Sequence, residues 1–260
     1  IGTQWIENPI DEYKKQDCER KAFQRLAEKI KKDYPRLPIC LTADSLYPYQ
    51  GFFDICKTYN WHYILTFKDN CLPSISSKAE KLKESHPQNR RNEVKVIDAK
   101  ERKQKYSWVT DMDYHGHTVH WLECLETVDT KDGDQTTRYV HLTDIKPDFH
   151  TTPDLSATGR MRWKIENEGF NIQKNHGYKL KHKYARKSYR AMKNYYQIMQ
   201  IAHMINELVV LNTSFQKFLV DKMTVKHIWL NLTGFMIYGD IDDQGLRAID
   251  AVSLRVSFVT

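Results

Sequence analysis

Apolar positions recur at two different periods along the chain, and the changes of period mark out its elements. From Asp11 to Asp33 the residues Ala22, Phe23, Leu26, Ala27 and Ile30 repeat at helical spacing with Lys, Arg and Glu between them. This predicts an amphipathic helix that ends before Pro35. Leu37 to Ala43 reads as a short strand, and Tyr49 to Tyr59 as a second helix carrying Phe52, Phe53, Ile55 and Cys56. Trp61 to Phe67, aromatic and β-branched, reads as a further buried strand. Helix, strand, helix, strand at these lengths contains a βαβ unit and therefore parallel strands.

The polar run His86-Pro87-Gln88-Asn89-Arg90-Arg91-Asn92 breaks that pattern. Four strand-like runs follow: Val94 to Ile97, Tyr106 to Tyr114, Thr118 to Thr127 and Thr137 to Leu142. Turn signals stand at His115-Gly116-His117 and at Lys131-Asp132-Gly133-Asp134. Helical spacing returns around Glu166 and in a long run from about Tyr184 to Leu211. Val225 to Thr260 has no clear period, and Ala251 to Val259 reads either as a strand or as a poorly ordered end. The expected organisation is an α/β core over 1–89, an antiparallel β insertion over 90–148 and a helical C-terminal part of the core over 149–260. A length of 260 residues, 40% of them hydrophobic, is enough for one such core.

A net charge of +7 and a pI near 9.0 favour a polyanionic partner. No apolar run approaches a membrane span and no charged-then-apolar leader is present. The expectation is a soluble, cytoplasmic protein without a membrane partner. The chain opens at Ile1 on what reads as mid-domain sequence, so a fragment is expected. Cys18, Cys40, Cys56, Cys71 and Cys124 are scattered, without a C-x-x-C pair, and read as reduced thiols.

Two stretches carry candidate chemistry. Ile39-Cys40-Leu41-Thr42-Ala43-Asp44-Ser45-Leu46-Tyr47 is a strand ending in a carboxylate, and open α/β sheets place their sites at such strand ends. In Arg162-Trp163-Lys164-Ile165-Glu166 a cation stands one helical turn before a carboxylate. Trp163 and Ile165 would pack inward and hold Glu166 on a rigid element, with Lys174 two turns later. A carboxylate between cations suits metal-dependent phosphoryl transfer. An ordinary exposed Arg–Glu pair is the plainer reading of the same spacing.

Lys179, Lys181, Lys183, Arg186, Lys187, Arg190 and Lys193 follow with no acid among them and with Tyr178, Tyr184 and Tyr189 interleaved. They read as a phosphate-backbone contact surface, against the alternative of a solvated helix face. His115, His117 and His120 invite a zinc reading, but strand alternation turns the last away from the first two. P-loop, G-x-G-x-x-G and G-x-S-x-G motifs are absent from the sequence.

Leu41-Thr42-Ala43-Asp44-Ser45-Leu46-Tyr47, together with Arg162-Trp163-Lys164-Ile165-Glu166 and Lys174, resembles the RNase H-like catalytic core of DDE transposases from bacterial insertion sequences. The match is to the group with a β insertion before the final Glu and a Tyr-Arg-Glu-Lys signature, and it covers residues of about 10–210. The resemblance implies an RNase H-like mixed sheet flanked by helices. It also implies Asp44 and Glu166 as the second and third catalytic carboxylates, holding two Mg²⁺ ions (Mn²⁺ as the substitute) about 4 Å apart. Arg162 and Lys174 would contact phosphates of double-stranded DNA at transposon ends and target, in a nucleoid-associated, homodimeric synaptic complex.

The reaction implied is strand cleavage and strand transfer. Trp108 and Trp121 lie in the insertion, where similar transposases stack an extruded base, although core packing is the favoured reading of both. Gly159 stands where the signature has Tyr, and Gln173 where it has Lys, with Lys174 one place late. A local helix distortion would be needed to restore its direction. Asp11 and Asp17 lie in helical, polar surroundings, so the first carboxylate is expected upstream of Ile1 and the fragment is expected to be inactive alone. The rival readings are a catalytically dead DNA-binding remnant and an unrelated basic α/β protein.

Overall fold

The computed structural model describes residues 2–7, 17–97, 100–131, 133–182, 184–217, 219 and 224–239. The chain divides into two compact units, Ile1–Glu166 and Asn167–Thr260.

The first unit is built on one six-stranded sheet: β1 (Cys40–Ala43), β2 (His62–Thr66), β3 (Arg90–Ile97), β4 (Lys100–Tyr114), β5 (His117–Thr130) and β6 (Gly133–Thr143). Their order across the sheet is β1-β2-β6-β5-β4-β3. β1 and β2 are parallel and every other neighbour is antiparallel. Helices α1 (Glu19–Asp33), α2 (Gln50–Tyr59), α3 (Pro73–Ser85) and α4 (Thr152–Arg160) flank it. This is a mixed α/β fold, consistent with an RNase H-like core. The antiparallel strands of the insertion do not stand apart, because β6 pairs with β2 and extends the same sheet.

Strand alternation divides the core between the two faces. Tyr63, Leu65, Trp121 and Leu142 join Phe52 and Phe53 of α2 and Ile75 and Ala79 of α3. On the other face Ile64, Trp108 and Leu122 meet Leu155 of α4. Neither α3 nor α4 is marked by a long apolar period in the sequence. Ile75, Ala79 and Leu82 are the apolar residues by which α3 packs on the sheet, with Pro73 at its first turn. The β4–β5 hairpin turns at His115 and Gly116, both at positive φ (49° and 78°), as a two-residue loop requires.

Among the described residues two glutamates are buried in this unit, one on each face of β5. Glu123 accepts from Lys83 Nζ at 2.6 Å, Arg138 Nε at 2.5 Å and Ser107 Oγ at 3.2 Å. Glu126 accepts from Arg160 Nη1 at 2.9 Å and Nη2 at 3.0 Å, from Arg102 Nη1 at 3.1 Å and from Gln104 Nε2 at 2.5 Å. Burial alone would push the Glu126 carboxyl up. The hydrogen bonds from Arg160 and Gln104, with the Arg160 charge and Arg102, outweigh it and hold the group at about 2. His141, on β6, is buried and held down to about 4, first by desolvation and then by the Arg160 charge.

Both groups make the fold acid-sensitive. Glu126 stabilises above its ordinary 4.5, and that contribution drains away as pH falls towards 2. For His141 the unfolded chain binds a proton below 6.5 but the folded one only near 4, so stability falls as pH drops across that window. Each contributes roughly 3 kcal/mol over its full range. Urea midpoints should therefore fall steadily below about pH 6.5, and a flat profile down to about pH 4 would contradict a buried neutral His141.

The second unit is helical: α5 (Asn171–Asn175), α6 (Tyr189–Val210), α7 (Thr213–Gln216) and α8 (Val225–Tyr238). α6 begins at Tyr189 rather than at Tyr184, because Ser188 caps it by accepting from Ala191 N–H at 3.2 Å and Ala185 sits at φ 51°. Thr224 caps α8 in the same way, accepting from His227 N–H at 3.3 Å, which gives an element to a tail whose period was unclear. Ala251 to Val259 and Asp11 lie outside the described residues. Among the described residues no helix is long and apolar enough to cross a membrane.

Candidate functional site at the carboxyl end of the parallel strands

Asp44 directly follows β1, and its backbone turns there. Its Oδ1 accepts the Leu46 N–H at 2.9 Å and its carbonyl accepts the Tyr47 N–H at 3.3 Å, an Asx turn that leaves Oδ2 without a donor among the described residues. The β1–β2 register pairs Ala43 with Leu65, so Asp44 stands beside Thr66 at the carboxyl end of β2. Leu41 and Ala43 pack on the α2 side. Alternation therefore assigns Thr42 to the opposite face, the one covered by α4, and Asp44 follows just past the end of the strand.

A groove of about 460 Å³ opens at that same end and face. Thr66, Lys68, Asn70, Arg138, Arg162 and Trp163 line it. His141 and Gly159 also line it. His141 is buried, and its Nδ1 has no hydrogen-bond partner among the described residues. Gly159 lies so close to the sheet that a Cβ would stand 2.3 Å from His141 Cδ2 and 2.8 Å from Ile64 Cγ2. The glycine in place of the signature Tyr thus has a local reason, since no side chain fits between α4 and β6.

Glu166 follows as the second residue of a π-helical stretch, Ile165–Phe170. Arg162 Nη1 donates to Glu166 Oε1 at 3.0 Å, the one-turn pairing that the spacing predicted, leaving Oε2 without a donor among the described residues. The expected packing around it is not observed. Trp163 and Ile165 are 47% and 51% exposed, and the Glu166 side chain is 62% exposed. Trp163 precedes the π-helical stretch and Ile165 opens it, so the α-helical spacing that would align them on one inward face is not continued. An exposed i,i+4 pair of this kind contributes only about 0.3–0.5 kcal/mol.

A π-helical stretch, whose turn holds more residues than an α turn, precedes Lys174. Lys174 is exposed and its Nζ lies 5.9 Å over the Phe170 ring. Gln173 is buried instead. Its Nε2 donates to Gln200 Oε1 at 2.9 Å and meets His203 Nδ1 at 2.9 Å, holding α5 to α6.

Lys179, Lys181, Arg186, Lys187 and Arg190 are exposed, and all but Arg190 lie on the loop before α6, so these cations do not form one solvated helix face. Lys183 lies outside the described residues. Trp108 and Trp121 are core side chains, 5% and 1% exposed. Neither offers a ring face to an extruded base, which corrects the DNA-binding role that the resemblance implied for them.

The three histidines do not converge. His117 Nε2 meets Asp54 Oδ1 at 2.8 Å, His120 Nδ1 accepts the Asp111 N–H at 3.0 Å, and His115 sits on the hairpin turn against Tyr114. Among the described residues no group of three or more His, Cys, Asp or Glu could hold a metal ion. Asp17 is no free ligand either. Its carboxylate accepts from Arg25 at 2.7 and 3.0 Å and from the Glu7 N–H at 3.0 Å, and the Arg25 bond leads the causes that hold it at about 2. The thiols are free, and burial pushes Cys56 up to about 12 and Cys124 up to about 11.

The groove, His141 and the two buried glutamates were not found from sequence. A usable signal existed in Leu122-Glu123-Cys124-Leu125-Glu126, where acids interrupt an apolar strand opposite Arg and Lys on neighbouring elements. A scan of protein-family models finds no match to this chain, and a search of curated proteins finds none.

Proposed function

We propose that this chain is the C-terminal part of the catalytic domain of a DDE-type DNA transposase, an enzyme that cleaves DNA strands at insertion-sequence ends and joins them to target DNA. The observation that supports this best is the placement of Asp44. It directly follows a parallel strand, at the end of the sheet where the groove lined by Thr66 and by Arg162, the residue that pairs with Glu166, opens. Asp44 Oδ2 and Glu166 Oε2 are the oxygens left over from protein hydrogen bonds, and hard carboxylate oxygens suit Mg²⁺ or Mn²⁺. Two carboxylates fit such a site incompletely. The reading therefore calls for a third, on a strand preceding β1, and β1 lies at the edge of the sheet, where a strand can pair.

Bound metal would activate the attacking oxygen and stabilise the leaving one. Arg162 orients Glu166 and, with Lys68, offers cations to the phosphates of the strand being cut. Lys174 and the exposed cations from Lys179 to Arg190 hold the duplex backbone, in a cytoplasmic, nucleoid-associated homodimer. A catalytically inactive DNA-binding remnant is the second reading, favoured by the exposure of Glu166.

Iron(II)-generated hydroxyl radicals cut a polypeptide beside the ion that produces them, and they test the shared site directly. Cuts are expected next to both Asp44 and Glu166 and should vanish from both in Asp44→Asn. Cutting at one acid alone, or cutting that survives the substitution, would rule out a common metal site. Persistence of Mg²⁺-dependent strand cleavage by the complete transposase after Asp44→Asn or Glu166→Gln would do the same for their catalytic role.

A further inference from the structure

A second cavity, of about 540 Å³, lies wholly within the second unit, between the loop that follows Tyr178 and the first turns of α6. It falls in the size range of sites that take a drug-sized or nucleotide-sized ligand. Its apolar floor is Leu180, Met192 and the buried Met199. Tyr184, Tyr189 and Tyr195 form its aromatic walls. The rings of Tyr184 and Tyr195 are already stacked, with centroids 3.6 Å apart and planes at 22°, and His182 meets Tyr184 edge-on at 4.4 Å. Lys181 and Arg186 stand exposed at the rim. Between residues 169 and 206 the sequence holds eight Lys or Arg and not one Asp or Glu, so the surroundings of the cavity repel cations and attract polyanions.

We propose that this cavity binds an unpaired nucleotide of a DNA strand, the base lying against the Tyr184–Tyr195 stack and its phosphate on Lys181 and Arg186. The chemistry selects that occupant. A phosphate backbone alone needs cations but gains nothing from an aromatic wall. The bases of a duplex have their faces covered by their neighbours. An unpaired base offers both a π-face and an adjoining phosphate. The inference rests on the DNA-binding part of the function proposed above, but it involves neither Asp44 nor Glu166.

The test is the affinity of the full chain for a short oligo(dT) and for a blunt duplex of equal length, across a salt series. Tyr184→Ala combined with Tyr195→Ala should weaken oligo(dT) binding about ten- to hundredfold and leave duplex binding unchanged. Tyr184→Phe with Tyr195→Phe, which keeps the rings, should restore it. Lys181→Ala with Arg186→Ala should weaken both ligands and flatten the salt dependence.

Should the double alanine variant fail to fold, photocrosslinking of the wild-type chain to an oligonucleotide carrying 5-iododeoxyuridine provides the second measurement. Crosslinks are expected at Tyr184, Tyr189 or Tyr195, and crosslinks found only elsewhere overturn the proposal. Equal losses for both ligands in the tyrosine variants, no loss for either, or displacement of oligo(dT) by inorganic phosphate as effectively as by a nucleotide would also overturn it. Loss of the shared metal site with this pattern intact would sink the transposase reading alone. Metal-dependent cleavage with oligo(dT) binding indifferent to the tyrosines would sink this inference alone.

Discussion

Replacing Glu126 with alanine is expected to destabilise the first unit by roughly 3–5 kcal/mol, because it strands two guanidinium groups at once. The Glu126 side chain is only 3% exposed, and Arg102 and Arg160 beside it are about one-quarter exposed. Arg160 ends α4 and Arg102 lies on β4, and both are mostly covered where they meet Glu126, so water replaces the lost carboxylate poorly. Gln104 loses its acceptor too, and Tyr106, whose hydroxyl donates to Gln104 Oε1 at 2.6 Å, loses the group that orients its partner. Against a total stability of about 5–15 kcal/mol for a domain of ordinary size, a loss on this scale leaves little margin.

Urea denaturation of the variant checks the figure. Glu126→Gln should fall nearly as far, since it keeps the shape but removes the charge. A combined change of Glu126, Arg102 and Arg160 to apolar residues of similar volume should recover much of the loss, because the penalty lies in unpaired charge. A cost below about 1 kcal/mol for Glu126→Ala would mean that water reaches the cluster freely.

Gly159→Ala pits two effects of opposite sign against each other. Alanine is favoured over glycine inside a helix by about 1 kcal/mol. The added Cβ, however, would stand 2.3 and 2.6 Å from Cδ2 and Nε2 of His141, inside any contact distance, and 2.8 Å from Ile64 Cγ2. His141 cannot swing aside, being buried on β6 under α4. The helix must lift from the sheet instead, and overpacking of this kind costs about 1–3 kcal/mol or more. Overpacking therefore wins, with a net lowering of the melting temperature. Gly159→Tyr, which restores the residue of the signature, should detach α4 and open the groove that holds Arg162. A Tyr variant as stable as the parent would show that α4 can move off the sheet without loss and that the close approach is incidental.

Much of the first unit was legible because its elements carry their own period. Phe52, Phe53 and Cys56 on one face of α2, and the alternation along β4, β5 and β6, announce helix and strand wherever they stand. The parallel β1–β2 pair followed from order alone, since a helix of that length between two strands leaves few other connections. The Arg162–Glu166 pairing was equally local, one turn of chain bringing two side chains together. Less of the site could be read in advance. Trp163 and Ile165 are apolar and spaced to pack, yet both are exposed, because burial needs a surface to pack against and spacing does not supply one.

What the sequence determined by itself was whatever depends on neighbours within a turn or two: helices and strands, their amphipathic faces, the uncompensated charge from residue 169 to 206, and a carboxylate at the end of β1. Tertiary structure alone decided which faces met. It buried Trp108 and Trp121, drove Gly159 against His141, drew Arg102 and Arg160 onto Glu126, and closed the loop after Tyr178 over α6. Such contacts join residues that are distant along the chain, and their energy arises only once water has been excluded between them.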